Sequence, residues 1–132
     1  MTLRKFWALF FFAAAAFNLC MGGPIYFLSD FSYALAYLGP ADASTLRFWG
    51  DFGFAVMLVG AGYAMVGFNV DANRGIVWLG IFAKAYDVIN LTLRWKLGLA
   101  HTLVLLPALI DGAFGVFFII FLLTWPRPAA RP

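Results

Sequence analysis

Residues 103–125 read LVLLPALIDGAFGVFFIIFLLTW, an apolar run that contains a single charged side chain, Asp111. A helix needs about 20 residues to cross the hydrocarbon core of a bilayer, which is roughly 30 Å thick. This run is long enough, so we predict that it spans a membrane. Pro126 follows it at once and is expected to stop the helix.

Three further stretches have the same character, at approximately residues 6–27, 46–68 and 76–93. Polar or helix-breaking residues bound them, among them Gly22-Gly23-Pro24 near the end of the first span and the segment from Asn69 to Gly75 after the second. The sequence therefore predicts an all-α protein, a four-transmembrane-helix bundle. We expect residues 1–132 to form a single integral membrane domain.

The composition agrees with a membrane environment. Hydrophobic residues make up 64% of the chain and charged residues 11%, against about 25% charged residues in soluble domains. A soluble fold of this length leaves much of its surface in water and could not bury so many apolar side chains. We therefore expect membrane lipids to be its main partners.

The net charge of +3 does not indicate a nucleic-acid partner, because the basic residues stand singly between apolar runs. They indicate topology instead, since Lys and Arg are enriched on the cytoplasmic side of a membrane. One side would carry Arg4, Lys5, Arg74, Arg127 and Arg131, and the other Arg47, Arg94 and Lys96. This count predicts a multi-pass protein of the inner (cytoplasmic) membrane with both termini in the cytoplasm.

The segment between the first two spans, approximately residues 28–38, has apolar residues at helical spacing. Its apolar positions include Phe31, Leu35 and Leu38, and its polar face includes Asp30 and Ser32. This pattern predicts a short amphipathic helix in the membrane interface. An ordinary ordered loop is the alternative.

Polar residues inside the predicted spans are the candidate functional residues. Lys84, Asp87 and Asp111 lie well inside apolar stretches, where an unpaired charge costs at least about 2.5 kcal/mol. They should therefore face the interior of the bundle. Counting about 1.5 Å of rise per residue places Asp87 and Asp111 at similar depth and Lys84 about a turn further in, with Asn18 near the same layer.

Two interpretations of this polar cluster remain open. In one, Asp87 and Asp111 surround the Lys84 ammonium, Asn18 or Asn90 completes the hydrogen bonds, and the buried ions fix how the helices register. In the other, the cluster lines a cavity that binds a lipid-like molecule or conducts protons.

Two further predictions concern packing. Arg47 and Asp51 lie one turn apart on the second span, which predicts a structural ion pair near its outer end. Small residues at helical spacing favour close helix contacts. They are Gly60 and Ala64 on the second span, Gly80 and Ala83 on the third, and Ala108, Gly112 and Gly115 on the fourth.

Several kinds of site lack the residues they need. The chain has one histidine, His101, in a predicted outer loop, and one cysteine, Cys20, which we expect to be an inert packing residue. Paired histidine ligands for haem and cysteine ligands for a metal are therefore not supported. We expect no metal and no cofactor.

Short elements along most of the chain resemble small bacterial four-helix membrane proteins of unknown function, broadly the DoxX-like kind. They are Phe17-Asn18-Leu19 followed by Gly22, Tyr37-Leu38-Gly39-Pro40, Arg47-Phe48-Trp49-Gly50, Gly60-Ala61-Gly62-Tyr63, Lys84 and Asp111. The resemblance implies a four-helix fold. For some DoxX-like members it also implies a place beside membrane oxidoreductases as a non-catalytic partner.

The leading hypothesis is a non-catalytic membrane protein. It would bind a hydrophobic or lipid-like small molecule in the bundle, or act as an accessory subunit of a larger membrane complex; a homo-oligomer is also compatible. One alternative is an isomerase-like membrane enzyme acting on a lipidic substrate, with Asp87 and Asp111 as acid and base and Lys84 setting their protonation. Another is a proton-coupled transporter.

Overall fold

The structure, a computed structural model, describes residues 1–126. It contains five α-helices and no strand within that range. They are α1 (Leu3–Phe27), α2 (Ser29–Ala36), α3 (Ala43–Phe68), α4 (Arg74–Lys96) and α5 (Leu105–Thr124), and a 3-10 turn over Thr102–Val104 precedes α5. The four long helices are long and apolar enough to cross a membrane. The predicted all-α four-helix bundle is confirmed, and the chain is a multi-pass membrane protein.

The short helix expected between the first two spans is also present, as α2. Its neighbour α1 continues through Pro24 to Phe27, so the glycines before Pro24 do not end it. Asp42 caps the start of α3 by accepting a hydrogen bond of 2.7 Å from the backbone N–H of Thr45. Hydrogen bonds from Thr45 and Ser44 hold the pKa of Asp42 below its usual range.

Glycines bring α1 and α3 into close contact. A Cβ atom added to Gly22 would lie 2.6 Å from the carbonyl oxygen of Gly53, and one added to Gly60 would lie 2.9 Å from the Cβ of Asn18. Real side-chain atoms do not approach so closely, so the two backbones meet only because these positions have no side chain. The prediction of close contact is thus confirmed at Gly60 but not at Gly112 or Gly115, where an added Cβ would make ordinary contacts.

Aromatic side chains fill the half of the bundle that contains the start of α1 and the end of α5, which we call the terminal half. The ring of Phe11 stacks on Phe118 at 5.4 Å, and Trp7 meets Phe121 edge-on at 5.2 Å. Tyr63 of α3 packs against Phe118 at 4.9 Å. Large rings rather than small residues therefore join α1 to α5 here, and they leave a densely packed core.

Polar contacts join the helices at the end of the terminal half that is remote from the cavity. Arg4 forms an ion pair with Asp71, and the Trp125 indole N–H donates to Asp71 at 3.2 Å. The Arg74 guanidinium donates to the carbonyl oxygens of Trp125 and Leu122, at 3.1 and 2.7 Å. A cation at the last carbonyls of α5 also complements the negative end of the helix dipole. Arg127 and Arg131, counted above as topology signals, lie outside the described residues.

The opposite half of the bundle, which we call the cavity half, is covered at its end by two interhelical segments. Backbone hydrogen bonds join these segments to each other. The N–H of Leu38 donates to the carbonyl of Leu99 at 3.0 Å, and the N–H of His101 donates to the carbonyl of Ala36 at 2.9 Å. These bonds join the end of α2 to the loop between α4 and α5. The Trp49 indole also donates to the Ser32 hydroxyl at 2.9 Å and so ties α2 to α3.

Candidate functional site

A chain of side-chain hydrogen bonds joins all four long helices near the middle of the bundle. Lys84 of α4 donates to Asn18 of α1 at 2.8 Å and also bonds to Asp111 of α5. Asn18 in turn donates from its side-chain amide to the carbonyl of Val56 on α3 at 3.2 Å. We call Asn18, Lys84 and Asp111 the central triad.

The central triad is almost fully enclosed by protein. The exposed fractions are 3% for Asn18, 3% for Lys84 and 5% for Asp111. The Lys84 ammonium also lies over the ring of Phe17, 5.2 Å from its centroid, and 5.9 Å from that of Phe114. Because an ammonium has three donors and two are used, these aromatic faces supply the remaining favourable contacts of the buried cation.

The predicted arrangement of two carboxylates around Lys84 is only half correct. Asp111 is bonded to Lys84, but Asp87 has no hydrogen-bond or ion-pair partner among residues 1–126. Asn90 does not complete the cluster either, because its side-chain oxygen accepts from the Nε of Arg94 at 3.0 Å. Asp87 and Asn90 lie on one side of α4 and instead line a cavity of the bundle.

The predicted ion pair between Arg47 and Asp51 is not formed. Both side chains are exposed, and the ion pairs of the described region are Arg4 with Asp71 and Lys84 with Asp111. An exposed pair gains little when its charges are solvated, so helical spacing alone does not hold the two side chains together.

A cavity of about 690 Å³ occupies the cavity half. The central triad forms the inner end of the cavity, and the helices α1, α3, α4 and α5 form its sides. Residues of α2 cover part of it toward the membrane surface. Its aromatic wall residues are Phe17, Tyr33, Tyr37, Phe48, Trp49, Phe52 and Tyr86.

A second group of residues lies near the end of the cavity opposite the central triad. The sequence did not predict that these residues belong to the site. The rings of Tyr37 and Trp49 meet edge-on at 5.2 Å, and the Arg94 guanidinium lies 5.3 Å from the centroid of Tyr37. Burial raises the pKa of the Tyr37 phenol above its usual range. For Arg94 the sequence does contain a signal. The helical spacing of Lys84, Asp87 and Arg94 places all three on one side of α4.

Cys20 is placed differently from our expectation. It was predicted to be a packed residue, but its side chain is exposed and lines the cavity. His101 is exposed in the loop before α5, as expected. Among residues 1–126 no group of three or more His, Cys, Asp or Glu side chains is placed to hold a metal ion.

Comparisons with known proteins add no assignment to this geometry. No protein-family model matches the chain, and no curated protein or solved structure shows significant similarity to it.

Proposed function

We propose that this protein is a non-catalytic membrane protein that binds a hydrophobic, lipid-like small molecule in its cavity. The observation that carries the proposal is a largely apolar cavity that ends on the buried polar triad. Its volume of about 690 Å³ falls within the roughly 300–1,000 Å³ of small-molecule sites. Such sites combine apolar walls with a few fixed polar groups that orient the ligand.

The packing of the two halves supports a binding site with one end closed. Aromatic rings fill the terminal half, while the cavity half holds the open volume. A ligand would enter from the membrane or from the surface near α2 and stop at the central triad. The same filled half gives no support to a proton-coupled transporter, because a proton path would have to continue through it.

We further propose that the protein lies in the bacterial inner membrane with both termini in the cytoplasm. Arg4, Lys5 and Arg74 lie at the terminal end of the bundle, and Arg47, Arg94 and Lys96 lie at the other. The described residues give three basic side chains at each end, and Arg127 and Arg131, which follow α5 in the sequence, bring the count to five against three in favour of a cytoplasmic terminal end. The cavity half would then lie toward the outer surface.

An accessory role in a larger membrane complex, which the DoxX-like resemblance suggests, and a homo-oligomer remain part of the proposal. The long helices present many exposed apolar side chains, such as Phe48, Phe68, Phe82 and Leu109, and either lipid or another protein would cover them. Purification from native membranes in mild detergent tests this role, since a subunit should migrate with a stoichiometric partner.

A membrane isomerase acting on a lipidic substrate is the second candidate. The observation in its favour is that Asp87 and Asp111 both line the cavity, so one site holds two carboxyl groups that can act as acid and base. Its weakness is that Asp111 is already bonded to Lys84. Turnover of an unsaturated lipid that is lost in both Asp87→Asn and Asp111→Asn would favour the enzyme over the simple binder.

The binding proposal is tested with the only cysteine of the chain, Cys20, whose exposed side chain lines the cavity, as a reporter of occupancy. The protein in lipid nanodiscs is alkylated with N-ethylmaleimide, with and without dodecanol, dodecanoate or N,N-dimethyldodecylamine, and the modified fraction is followed by mass spectrometry. At ten times its dissociation constant a bound amphiphile should slow alkylation about tenfold, because about one site in eleven is then free.

A thiol outside the cavity controls for effects of the amphiphile on the reagent or the membrane. The variant Cys20→Ala/His101→Cys places its thiol in the exposed loop before α5, at a position that does not line the cavity. Its alkylation rate should not change. If none of the three amphiphiles protects Cys20, or if both thiols are slowed alike, the binding proposal is wrong.

A further inference from the structure

Four polar residues of α4 form a stripe that faces the cavity. Lys84, Asp87, Asn90 and Arg94 are three or four residues apart, and all of them line it. This spacing keeps the side chains on one side of the helix. The stripe runs from the buried central triad at Lys84 to the exposed end of α4 at Arg94.

Three of the four stripe residues already have partners. Lys84 is balanced by Asp111, and Asn90 accepts a hydrogen bond from Arg94. The Arg94 guanidinium also contacts the ring of Tyr37 and reaches solvent at the helix end. An anionic ligand would therefore find no buried cation that lacks a counterion.

Asp87 is the exception. It is half-buried, lines the cavity and has no polar partner among residues 1–126. It lies nine positions before Lys96, the last residue of α4, which places it about 13 Å from that end of the helix. An ionised carboxylate at this depth has no ion-pair partner among residues 1–126, so a cation in the cavity would be stabilised beside it.

The aromatic walls of the cavity suit a cation as well. Phe17 and Tyr86 line the same cavity, as do Tyr33 and Trp49. Aromatic faces attract alkylammonium groups and also pack against hydrocarbon chains. A neutral hydroxyl head could bond to Asp87, but it would leave the negative charge uncompensated.

We infer that the cavity selects an amphiphile with a cationic amine head, which forms an ion pair with Asp87 while its hydrocarbon chain packs against the aromatic walls. This inference rests on the proposed binding function and names its ligand class. The central triad keeps its own charges balanced and closes the inner end of the site.

The experiment compares amphiphiles that share one tail and differ in head group, using Cys20 protection in phosphatidylcholine nanodiscs. N,N-dimethyldodecylamine is protonated at neutral pH, dodecanol is neutral and dodecanoate is anionic. In the native chain the amine should protect at a concentration at least about tenfold lower than dodecanol, after correction for partition into the bilayer. Dodecanoate should be the weakest of the three.

Asp87→Asn removes the carboxylate and keeps its size, and it should weaken protection by the amine about tenfold while leaving dodecanol unchanged. Protection by dodecanol also reports that the variant has kept its folded cavity. The matched control is Asp51→Asn, which removes an exposed carboxylate of α3 that does not line the cavity. This control should bind the amine like the native chain.

The outcomes separate the inference from the proposal beneath it. Equal protection by amine and dodecanol in the native chain, or an amine preference that survives Asp87→Asn, overturns the cationic-ligand inference and leaves the binding function standing. If no amphiphile protects Cys20 in any variant, the binding function itself is overturned. Should Asp87→Asn fail to fold, Asp87→Glu keeps the charge and must keep the amine preference.

Discussion

Lys84 of α4 links α1 and α5 through one buried side chain, and this gives it a large predicted effect on stability. Lys84→Met would leave Asp111 and Asn18 enclosed without their shared donor. Breaking a buried ion pair on one side costs about 3–5 kcal/mol. We expect the free energy of unfolding in nanodiscs to fall by about 3 kcal/mol in Lys84→Met, because the membrane interior offers Asp111 no replacement partner.

The double variant Lys84→Met/Asp111→Leu should recover much of that loss, because it removes both buried charges at once. Lys5→Met serves as the control, since Lys5 is exposed at the start of α1. Its unfolding free energy should stay close to that of the native chain. Equal stability of the native chain and Lys84→Met would contradict a stabilising role for the triad.

Residue-scale reasoning predicted part of this site. The cost of a charge in the membrane required Lys84 and Asp111 to turn inward, and counting helix rise placed Asn18 at the same depth. The prediction that Asp87 also contacts Lys84 was wrong, because a residue three positions along a helix is still rotated by roughly 60° from the first. That rotation aims Asp87 into the cavity while Lys84 reaches Asp111. Spacing along one helix does not show which residue of a neighbouring helix, if any, contacts a given side chain.

At the scale of the elements, contact between α1 and α3 depends on positions that have no side chain. Gly22 and Gly23 are adjacent on α1 yet differ sharply. An added Cβ at Gly22 would meet the carbonyl oxygen of Gly53 at 2.6 Å, while one at Gly23 would meet nothing within 4 Å. The sequence suggested that both mark the end of a helix, and it did not show that one is a packing residue, because the partner backbone is remote along the chain.

These neighbours form a matched pair of test substitutions. We expect Gly22→Ala to lower the free energy of unfolding by about 1–3 kcal/mol, because the helices must move apart to admit the methyl group. Gly23→Ala should be neutral or raise stability by up to about 1 kcal/mol, since alanine favours a helix more than glycine does. Unfolding of both variants in nanodiscs checks the difference, and equal effects would contradict close packing of α1 on α3.

At the scale of the whole molecule, the two halves of the bundle are unlike. Rings such as Phe11 and Phe118 fill the terminal half, and the cavity half leaves about 690 Å³ open. Length and apolar composition predicted the four helices, because any span must match the bilayer. They could not predict the asymmetry, since apolar side chains that face lipid, a core or a cavity look alike in sequence.

The asymmetry makes membrane orientation decisive for access to the cavity, and orientation can be measured directly. Two single-cysteine variants in the Cys20→Ala background mark opposite ends, Thr2→Cys at the terminal end and His101→Cys beside the cavity half; both positions are exposed. The sequence count of basic residues, five against three once Arg127 and Arg131 after α5 are included, predicts that the terminal end is cytoplasmic. On intact spheroplasts a membrane-impermeant maleimide should therefore label His101→Cys and should label Thr2→Cys only after permeabilisation. The reverse pattern would place the cavity half toward the cytoplasm, and its ligand would then have to reach it from the inner leaflet or the cytoplasm.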